Sequence, residues 1–257
     1  LIPVQVTGIS DVISISAGYQ YSLALKNDGT LWAWGQNNYG QLGDGTNTYR
    51  WAPVRITGIS DVISVSASST SSFAVKSDGT LWAWGENEYG HLGDGTTVNH
   101  HQPLQIPGIS NLISVSAGAQ HTLAFKNDDT VWAWGANGYG QLGDGTTTDR
   151  PTPVQVTGIS NLIGVSAGFA HTLALKNDGT VWTWGGNGYG QLGNGTSQYQ
   201  TTPIEIISLG VNTSPTINAT IPSQTREENT PAWTIDLTPF ENASQDTGSD
   251  LDWSVSG

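Results

Sequence analysis

The chain has 257 residues, no cysteine and a formal net charge of −13. The absence of cysteine excludes disulfide bonds, thiolate nucleophiles and cysteine-ligated metal sites. The acidic charge argues against a nucleic-acid partner, because such binding depends on Lys and Arg side chains that neutralise phosphates. No apolar run approaches the roughly 18 residues of a membrane span. We therefore expect neither nucleic-acid binding nor a membrane span in this chain.

A repeat of 50 residues dominates the sequence. Gly8-Ile9-Ser10 recurs three times in the same register, and so does Trp32-Ala33-Trp34-Gly35, whose last copy carries Thr183 between its two Trp residues. A period of about 50 residues is typical of propellers and solenoids. The repeats predict a domain over 1–207 with four units, near residues 8–57, 58–107, 108–157 and 158–207. The composition changes after Ile207, which predicts a second segment over 208–257.

Each unit has the pattern of four β-strands. In the third unit, a short β-branched run over 112–117 and an alternating run over 121–126 are followed by a turn and a third strand over 131–134. The next residues, 135–146, are rich in Gly and Asn and predict a loop. A fourth strand over 153–157 begins with Pro, where a missing N–H does least harm. Four strands in each unit predict a propeller blade.

The turn between the second and third strands has its own signature. Units one and four have Asn-Asp-Gly there, which places Gly29 and Gly179 where a hairpin loop needs a positive φ. Unit three has Asp129 at that position, and Asp tolerates the left-handed region better than most residues. The pattern therefore predicts the same hairpin in every unit.

Two Trp residues in each unit are separated by a single residue, so both face the same side of their strand. We expect both indoles to pack between neighbouring blades. At about 25 cal/mol per Å² over roughly 150–250 Å², each contributes about 4–6 kcal/mol before entropy is subtracted. The predicted structural residues are Trp32, Trp34, Trp82, Trp84, Trp132, Trp134, Trp182 and Trp184.

The run from Gly168 to Gly193, with its His-Thr-Leu-Ala and Tyr-Gly-Gln-Leu-Gly segments, closely resembles the repeat of the regulator of chromosome condensation family and its bacterial and archaeal relatives. The resemblance covers about 200 residues. It implies an all-β fold, a β-propeller that is typically seven-bladed and serves as a binding platform. Family members include an exchange factor for a nuclear GTPase, chromatin binders and an inhibitor of a secreted enzyme, and the fold alone does not choose among these functions. The acidic charge and the uninterrupted period argue against the exchange and chromatin functions.

The two ends of the repeat array do not match. The predicted strand over 3–7 recurs at 53–57 and again at 203–206, so it occurs five times while the rest of the unit occurs four times. Three explanations remain open: further units precede Leu1, the array stays open, or a second molecule supplies the missing part. Because an exposed blade edge invites strand pairing, an open array predicts self-association.

Residues 208–257 are rich in Asn, Thr, Ser, Pro and acidic residues and resemble the start of an immunoglobulin- or cadherin-like β-sandwich module. With about 50 residues the segment is shorter than the roughly 100 of such a sandwich. Its carboxylates suit either a Ca²⁺ site, the only cofactor that the sequence suggests, or a solvated acidic surface. These carboxylates belong to Glu227, Glu228, Asp246, Asp250 and Asp252.

Four Asn residues match the N-glycosylation acceptor pattern. They are Asn194, Asn212, Asn218 and Asn242. Together with the acidity, the missing cysteine and the nature of the last 50 residues, they predict an extracellular or cell-surface location.

The sequence leaves three classes of function to compare. An enzyme is the weakest, because a catalytic constellation would break the pattern in one unit and none does so. The first remaining hypothesis is a structural or assembly module of an extracellular surface protein or filament, which associates with itself, or with another surface protein, through open blade edges and the C-terminal segment. The second is an adhesin or receptor head whose propeller rim binds a protein or glycan. We favour the first hypothesis.

Overall fold

The computed structural model describes residues 2–206, which fold into four antiparallel sheets of four strands each. Each sheet is one blade. Blade 1 contains β1 (Val12–Ala17), β2 (Tyr21–Lys26), β3 (Leu31–Gly35) and β4 (Arg50–Arg55). Blade 2 contains β5 (Val62–Ala67), β6 (Ser71–Lys76), β7 (Leu81–Gly85) and β8 (His100–Gln105). Blade 3 contains β9 (Leu112–Ala117), β10 (His121–Lys126), β11 (Val131–Gly135) and β12 (Arg150–Gln155). Blade 4 contains β13 (Leu162–Ala167), β14 (His171–Lys176), β15 (Val181–Gly185) and β16 (Gln200–Glu205).

Within each blade the strands pair in chain order, so every connection is a simple antiparallel return. The turn between the second and third strands is held by an Asp side chain: in blade 1 the carboxylate of Asp28 accepts hydrogen bonds from the backbone N–H of Thr30 at 3.0 Å and from its hydroxyl at 2.6 Å. Asp129 adopts a φ of 61° at the position where Gly29 has 73°. The hairpin is therefore the same with either residue.

The fourth strand differs from its predicted bounds. In blade 1 it begins at Arg50, and Pro53 lies within it, at the place where its register with β3 is interrupted. Pro is accommodated there because an interrupted ladder does not need its missing N–H. The prediction of a fifth such strand over 3–7 is wrong, since these residues form no strand. The corresponding residues of the later units belong to the fourth strand of the preceding blade and pair with its third strand, as residues 54 and 55 do with β3. Among the described residues no blade precedes blade 1.

The hydrophobic core lies between blades rather than within them. One cluster joins Leu23, Leu31 and Leu42 of blade 1 to Val62 and Trp84 of blade 2, and equivalent clusters join blade 2 to blade 3 and blade 3 to blade 4. The predicted all-β propeller architecture is confirmed for this part of the chain, as a row of four blades. The predicted partial β-sandwich over 208–257 lies outside the described residues. Among residues 2–206, no helix is long and apolar enough to cross a membrane.

Candidate functional site

The second Trp of each pair closes the junction between two blades. Trp84, Trp134 and Trp184 are fully buried. Each indole N–H donates to a backbone carbonyl in the loop of the preceding blade, and a hydroxyl from the neighbouring strand donates to the same carbonyl. The carbonyl of Gln41 accepts from Trp84 at 3.0 Å and from Ser72 at 2.7 Å. The carbonyl of His91 accepts from Trp134 at 2.9 Å and from Thr122 at 2.8 Å. The carbonyl of Gln141 accepts from both Trp184 and Thr172 at 2.9 Å. The hydroxyl was not predicted from the sequence, although every unit has Ser or Thr at this position.

The first Trp of each pair is half-buried. In blades 2 to 4 it packs against the cluster between the blades, as predicted, and its ring also faces a lysine. In blade 3 the ammonium group of Lys126 lies 5.6 Å from the ring centroid of Trp132, which is within cation–π range. The same Lys-Trp pair occurs in the other three blades, at 5.9 Å for Trp32, 5.7 Å for Trp82 and 5.1 Å for Trp182. The two predicted structural Trp positions therefore have different environments.

A buried Asn organises the Gly-rich loop of each blade. In blade 3 the side-chain amide of Asn137 donates to the carbonyls of Thr146 and Thr148 at 3.1 Å, and its oxygen accepts the N–H of Leu142 at 3.0 Å. It also donates to the carboxylate of Asp144. Burial raises the pKa of Asp144, but hydrogen bonds from Thr146 and Arg150 outweigh burial and leave the pKa below its usual range. The Gly- and Asn-rich composition predicted a loop here but not this hydrogen-bond network.

The loop approaches the next blade so closely that one of its glycines cannot be replaced without cost. A Cβ added to Gly143 would lie 2.7 Å from the Nε1 of Trp184. Gly158 has a similar φ, 80° against 72°, but a Cβ there would meet nothing within 4 Å.

We expect Gly143→Ala to reduce the free energy of unfolding by about 1–3 kcal/mol more than Gly158→Ala, because both variants carry the backbone strain but only the first forces a clash in a packed core. Chemical denaturation of the two variants measures this difference. Equal losses would show that the junction can relax around the added methyl group.

Blade 2 contains the pair that most resembles a nucleophile and its base. The Oγ of Ser71 lies 2.8 Å from the Nε2 of His91, and both side chains are buried. The hydroxyl of Ser71 also donates to the carbonyl of Glu86 at 2.7 Å. Since the hydroxyl proton is already committed to a carbonyl, the imidazole is the donor in this pair. The arrangement therefore bonds strand to loop and does not activate a nucleophile. The neighbouring His100 pairs with Asp94 at 2.9 Å instead.

His121 lies at the junction between blades 3 and 4, with its Nε2 3.2 Å from the hydroxyl of Thr172. Burial, with smaller contributions from the charges of His171 and His91, lowers the pKa of His121 to about 3. Burial alone lowers the pKa of His91 to about 4. Both residues are therefore neutral in the folded chain at physiological pH.

These depressed values predict acid sensitivity. The unfolded chain takes up protons near the ordinary histidine pKa, so the stability that neutral His91 and His121 contribute is complete above about pH 6.5 and is lost as the pH falls towards their folded values. We expect the free energy of unfolding to fall by about 2 kcal/mol for each histidine between about pH 7 and pH 5. Blade 1 has Tyr21 at the position of His121, so His121→Tyr is the matched variant. Denaturant titrations at several pH values should show a pH dependence that is smaller by about 2 kcal/mol in this variant. An unchanged dependence would exclude His121 as a source of it.

The predicted glycosylation site Asn194 has a structural role. Its side-chain oxygen accepts hydrogen bonds from Asn187 at 3.0 Å and from the N–H of Thr196 at 3.1 Å. Asp44, Asp94 and Asp144 make the same contacts in the other blades, so Asn-Gly-Thr here is the Asp-Gly-Thr turn of the repeat. Glycosylation at this position stays a prediction. The other predicted acceptors, Asn212, Asn218 and Asn242, lie outside the described residues, as do the carboxylates of the suggested Ca²⁺ site, Glu227, Glu228, Asp246, Asp250 and Asp252.

Blade 1 exposes an apolar surface that the other blades bury. Val6 is 42% exposed, whereas its counterparts Ile56, Ile106 and Val156 are at most 2% exposed. Ile15 is 76% exposed, whereas its counterpart Val115 is 7% exposed and its counterparts Val65 and Val165 are half-buried. We call this surface the leading face. It surrounds a groove of about 340 Å³ and is formed by Val6, Val12, Ile15, Ser22 and Trp34. Trp34 is only half-buried, and among the described residues its indole N–H has no acceptor.

Blade 4 exposes the surface that, in blades 1–3, packs against the next blade. Leu175 is 40% exposed, while its counterpart Leu25 is completely buried. Tyr189 is fully accessible, and a Cβ on Gly193 would meet only Ile206, at 3.7 Å. We call this surface the trailing face, formed by Leu173, Leu175, Val181, Tyr189, Gln191 and Gly193. It corresponds to the surface of blades 1–3 that receives the Trp of the next blade.

The first loops of all four blades meet at one end of the array, around an open depression of about 350 Å³. Small residues line most of it. Tyr19 and Phe169 also lie there, on the first and last blades, and both are more than three-quarters exposed, at 76% and 78%. This depression is the third candidate surface.

Four-stranded antiparallel blades that are joined by buried Trp residues define a β-propeller protein. Its three candidate surfaces are largely apolar, and the described residues contain no catalytic arrangement. The sequence matches the RCC1-like domain over residues 1–225, and the chain belongs to this family. The predicted resemblance to the regulator of chromosome condensation repeat is thereby confirmed.

Individual relatives agree with this assignment. The chain is similar to human WBSCR16, with 26% identity over 77% of this chain and 54% of that chain and a TM-score of 0.68. It is similar in fold to Prp20p of Saccharomyces cerevisiae, with 21% identity over 79% of this chain and 52% of that chain and a TM-score of 0.71. A segment of 48 residues is 42% identical to the probable E3 ubiquitin-protein ligase HERC4 of Homo sapiens. The segment covers 18% of this chain and 4% of HERC4. The chain thus spans about half the length of the two solved relatives.

The predicted extracellular or cell-surface location is wrong. HERC4, WBSCR16 and Prp20p are intracellular, nuclear or mitochondrial proteins, and they come from human and yeast. The prediction depended on composition and on Asn-x-Ser/Thr patterns, and the first of these patterns is a turn of the repeat. The extracellular setting of both functional hypotheses is therefore wrong, while self-association and protein binding stay predictions.

Proposed function

We propose that this chain is a non-enzymatic protein-binding module whose leading face packs against a further blade of its own type, whether that blade belongs to the same polypeptide or to another. The observation that supports this function is the exposure of Val6, Val12 and Ile15, whose counterparts are covered by a neighbouring blade at every internal junction. Apolar surface of this kind is stabilised by burial at about 25 cal/mol per Å². Exposed apolar patches on folded proteins commonly mark interaction sites.

The internal junctions indicate what a partner has to supply. It needs a loop carbonyl to accept the indole N–H of Trp34, and apolar side chains to fill the groove beside Ile15. Another RCC1-type blade has both. The described binding of Prp20p to Gsp1p and histones supports protein interaction as a function of such propellers.

Two neighbouring isoleucines of blade 1 allow a controlled test. Ile15 lies on the leading face, whereas Ile13 lies at a bulge in β1 and its counterparts Ile63, Ile113 and Ile163 are exposed in every blade. We expect Ile15→Asp to weaken association at least tenfold, because it places a charge in an apolar contact. Ile13→Asp should leave association unchanged. Sedimentation velocity over a range of protein concentrations measures both.

A chain that stays monomeric at every concentration and binds no RCC1-type blade added in trans would contradict the proposed function. Equal effects of the two substitutions would show that association uses another surface. An alternative function is binding of a protein at the depression, which the exposed rings of Tyr19 and Phe169 support. A titration with histones, which Prp20p binds, together with the Tyr19→Ala and Phe169→Ala variants, tests it.

A further inference from the structure

We propose that the end of the blades at which the first strands begin binds a protein segment that carries apolar side chains next to Lys or Arg. The apolar side chains of this segment cover an isoleucine that each first strand exposes, and its cations pair with the aspartates around it. This surface is separate from the leading face and from the depression, so the inference does not depend on the proposed function. We call it the isoleucine end, formed in blades 2 and 3 by Ile63, Ile113, Asp61, Asp78, Asp128 and Asp129.

The first strands of neighbouring blades lie side by side along the inner edges of their sheets. The N–H of Ala117 in β9 donates to the Oγ of Ser66 in β5 at 3.0 Å, and the junctions on either side repeat this bond. The loops that follow these strands form the depression. The exposed isoleucines lie near the beginnings of the same strands, so they lie at the end opposite the depression.

A β-bulge leaves this isoleucine outside the hydrogen-bonded ladder. The register of β5 with β6 shifts between Val62 and Ser64, so the residue between them, Ile63, has no partner of its own. Val62 is buried, whereas Ile63 is 51% exposed. The equivalent residue of β9, Ile113, is 47% exposed. β-Bulges commonly redirect a side chain next to a functional site.

The exposure of these isoleucines does not come from an uncovered blade face. Blades 2 and 3 each pack against a blade on both sides through the apolar clusters between blades. Their isoleucines are nevertheless half exposed, and the equivalent residues of the two outer blades are exposed as well. Large apolar side chains that are exposed at the same place in consecutive blades form a patch of the kind that marks an interaction site.

Aspartates lie close to the exposed isoleucines. Asp61 precedes Ile63 by two residues and is exposed. Its backbone carbonyl accepts the N–H of Ser77 at 2.8 Å, which brings it to the turn that contains Asp78. In blade 3 the N–H of Asn127 makes the equivalent bond at 3.0 Å, and two aspartates follow it in the chain.

The lysines at this end are less accessible than the aspartates. The ammonium group of Lys76 lies 5.7 Å from the ring centroid of Trp82. The side chain of Lys76 is 20% exposed, whereas that of Asp78 is 57% exposed. Hydrogen bonds from the hydroxyl and the N–H of Thr80 hold the pKa of Asp78 below its usual range, so this carboxylate is charged at neutral pH. A partner therefore meets apolar side chains within a negatively charged rim.

The charge of this rim indicates which partner fits. The same end of a second copy would bring aspartates against aspartates, and the phosphates of nucleic acid or of anionic lipids would meet the same repulsion. A protein segment with apolar side chains next to Lys or Arg fits both features. Its apolar side chains are stabilised by burial against the isoleucines, and its cations pair with the exposed carboxylates. A helix with one apolar and one basic face is a common form of such a segment.

Two designed helical peptides test this surface. Both have leucine on one face, and the other face has lysine in the first peptide and glutamate in the second. We expect the 257-residue chain to bind the lysine peptide at least tenfold more tightly than the glutamate peptide. Replacing Ile63 and Ile113 together by Ser should weaken binding of the lysine peptide at least tenfold. Isothermal titration calorimetry measures these affinities, and added salt should lower them because the rim is exposed to solvent.

Val98→Ser is the matched control for the isoleucine substitutions. Val98 is 62% exposed and belongs to the Gly-rich loop of blade 2, at the other end of the blade. We expect Val98→Ser to leave the affinity for the lysine peptide unchanged. A variant with Asp61→Asn and Asp78→Asn should weaken the lysine peptide and reduce its preference over the glutamate peptide. Denaturant titration of every variant separates a loss of binding from a loss of folding.

Three results would overturn the inference. The first is equal binding of the lysine and glutamate peptides. The second is an equal affinity for the lysine peptide in the wild-type chain, the double isoleucine variant and the Val98→Ser variant. The third is self-association of the wild-type chain that only the double isoleucine variant loses, because the occupant of the isoleucine end would then be a second copy.

Discussion

Replacing Trp134 by Ala is expected to lower the free energy of unfolding by about 3–5 kcal/mol, the range for large aromatic side chains removed from a core. The indole is completely buried between blades 2 and 3, and its N–H donates to the carbonyl of His91 at 2.9 Å. Ala would leave a cavity, and that carbonyl would keep only the hydroxyl of Thr122. Denaturant titration of the variant measures the loss.

Trp34 is the matched control for this substitution. It occupies the same position in blade 1, but no blade within residues 2–206 covers it and it is only half-buried. At dilutions where the chain is monomeric, we expect Trp34→Ala to cost at most about half as much as Trp134→Ala, because less apolar area is lost. A loss below about 1 kcal/mol for Trp134→Ala would contradict the assignment of this indole to the core between blades.

Asn137→Ala is expected to cost about 2–4 kcal/mol. The substitution removes the partner of the Leu142 N–H, which is completely buried together with Asn137, and those of the carbonyls of half-buried Thr146 and exposed Thr148. An unsatisfied buried group costs roughly 1–3 kcal/mol. Asn137→Asp should cost more, since it replaces the donor by a second carboxylate beside Asp144. Thermal or chemical unfolding of both variants provides the measurement.

Asn127 is the control for this loop, because it is exposed in a turn of the same blade. We expect Asn127→Ala to change the free energy of unfolding by less than about 0.5 kcal/mol. If Asn137→Ala also changed the free energy of unfolding by less than about 0.5 kcal/mol, water would have to replace the amide. The hydrogen-bond network of Asn137 would then not determine the conformation of the loop.

The sequence predicted most of the fold because every blade repeats the same local pattern. The strand periods, the Asn-Asp-Gly turns and the Trp pairs are local features, and each indicated its element correctly. The fourth strand was the exception, since its start at Arg50 rather than Pro53 depends on pairing with β3 across an interrupted register. Pairing of that kind is a property of two distant segments and leaves no local pattern.

The functional surfaces were harder to predict than the fold. Ile13 and Ile15 lie in similar sequence surroundings. Only the structure shows that Ile13 lies at the bulge in β1, whereas Ile15 lies on the leading face. Ser71 and His91 are 20 residues apart in the chain and meet only in the folded blade. The mistaken extracellular prediction has the same origin, because the pattern at Asn194 cannot be distinguished by sequence from a turn whose hydrogen bonds are internal.

The sequence by itself determined the repeat, the four-stranded blade and the family, because hydrophobic periodicity and turn chemistry act over a few neighbouring residues. Only the tertiary structure decided which copies of an identical residue are buried. Trp34 and Trp134 stand in the same sequence context, yet within the described part of the chain only Trp134 has a blade packed against its indole. Burial depends on the neighbour in space, which no local sequence pattern encodes.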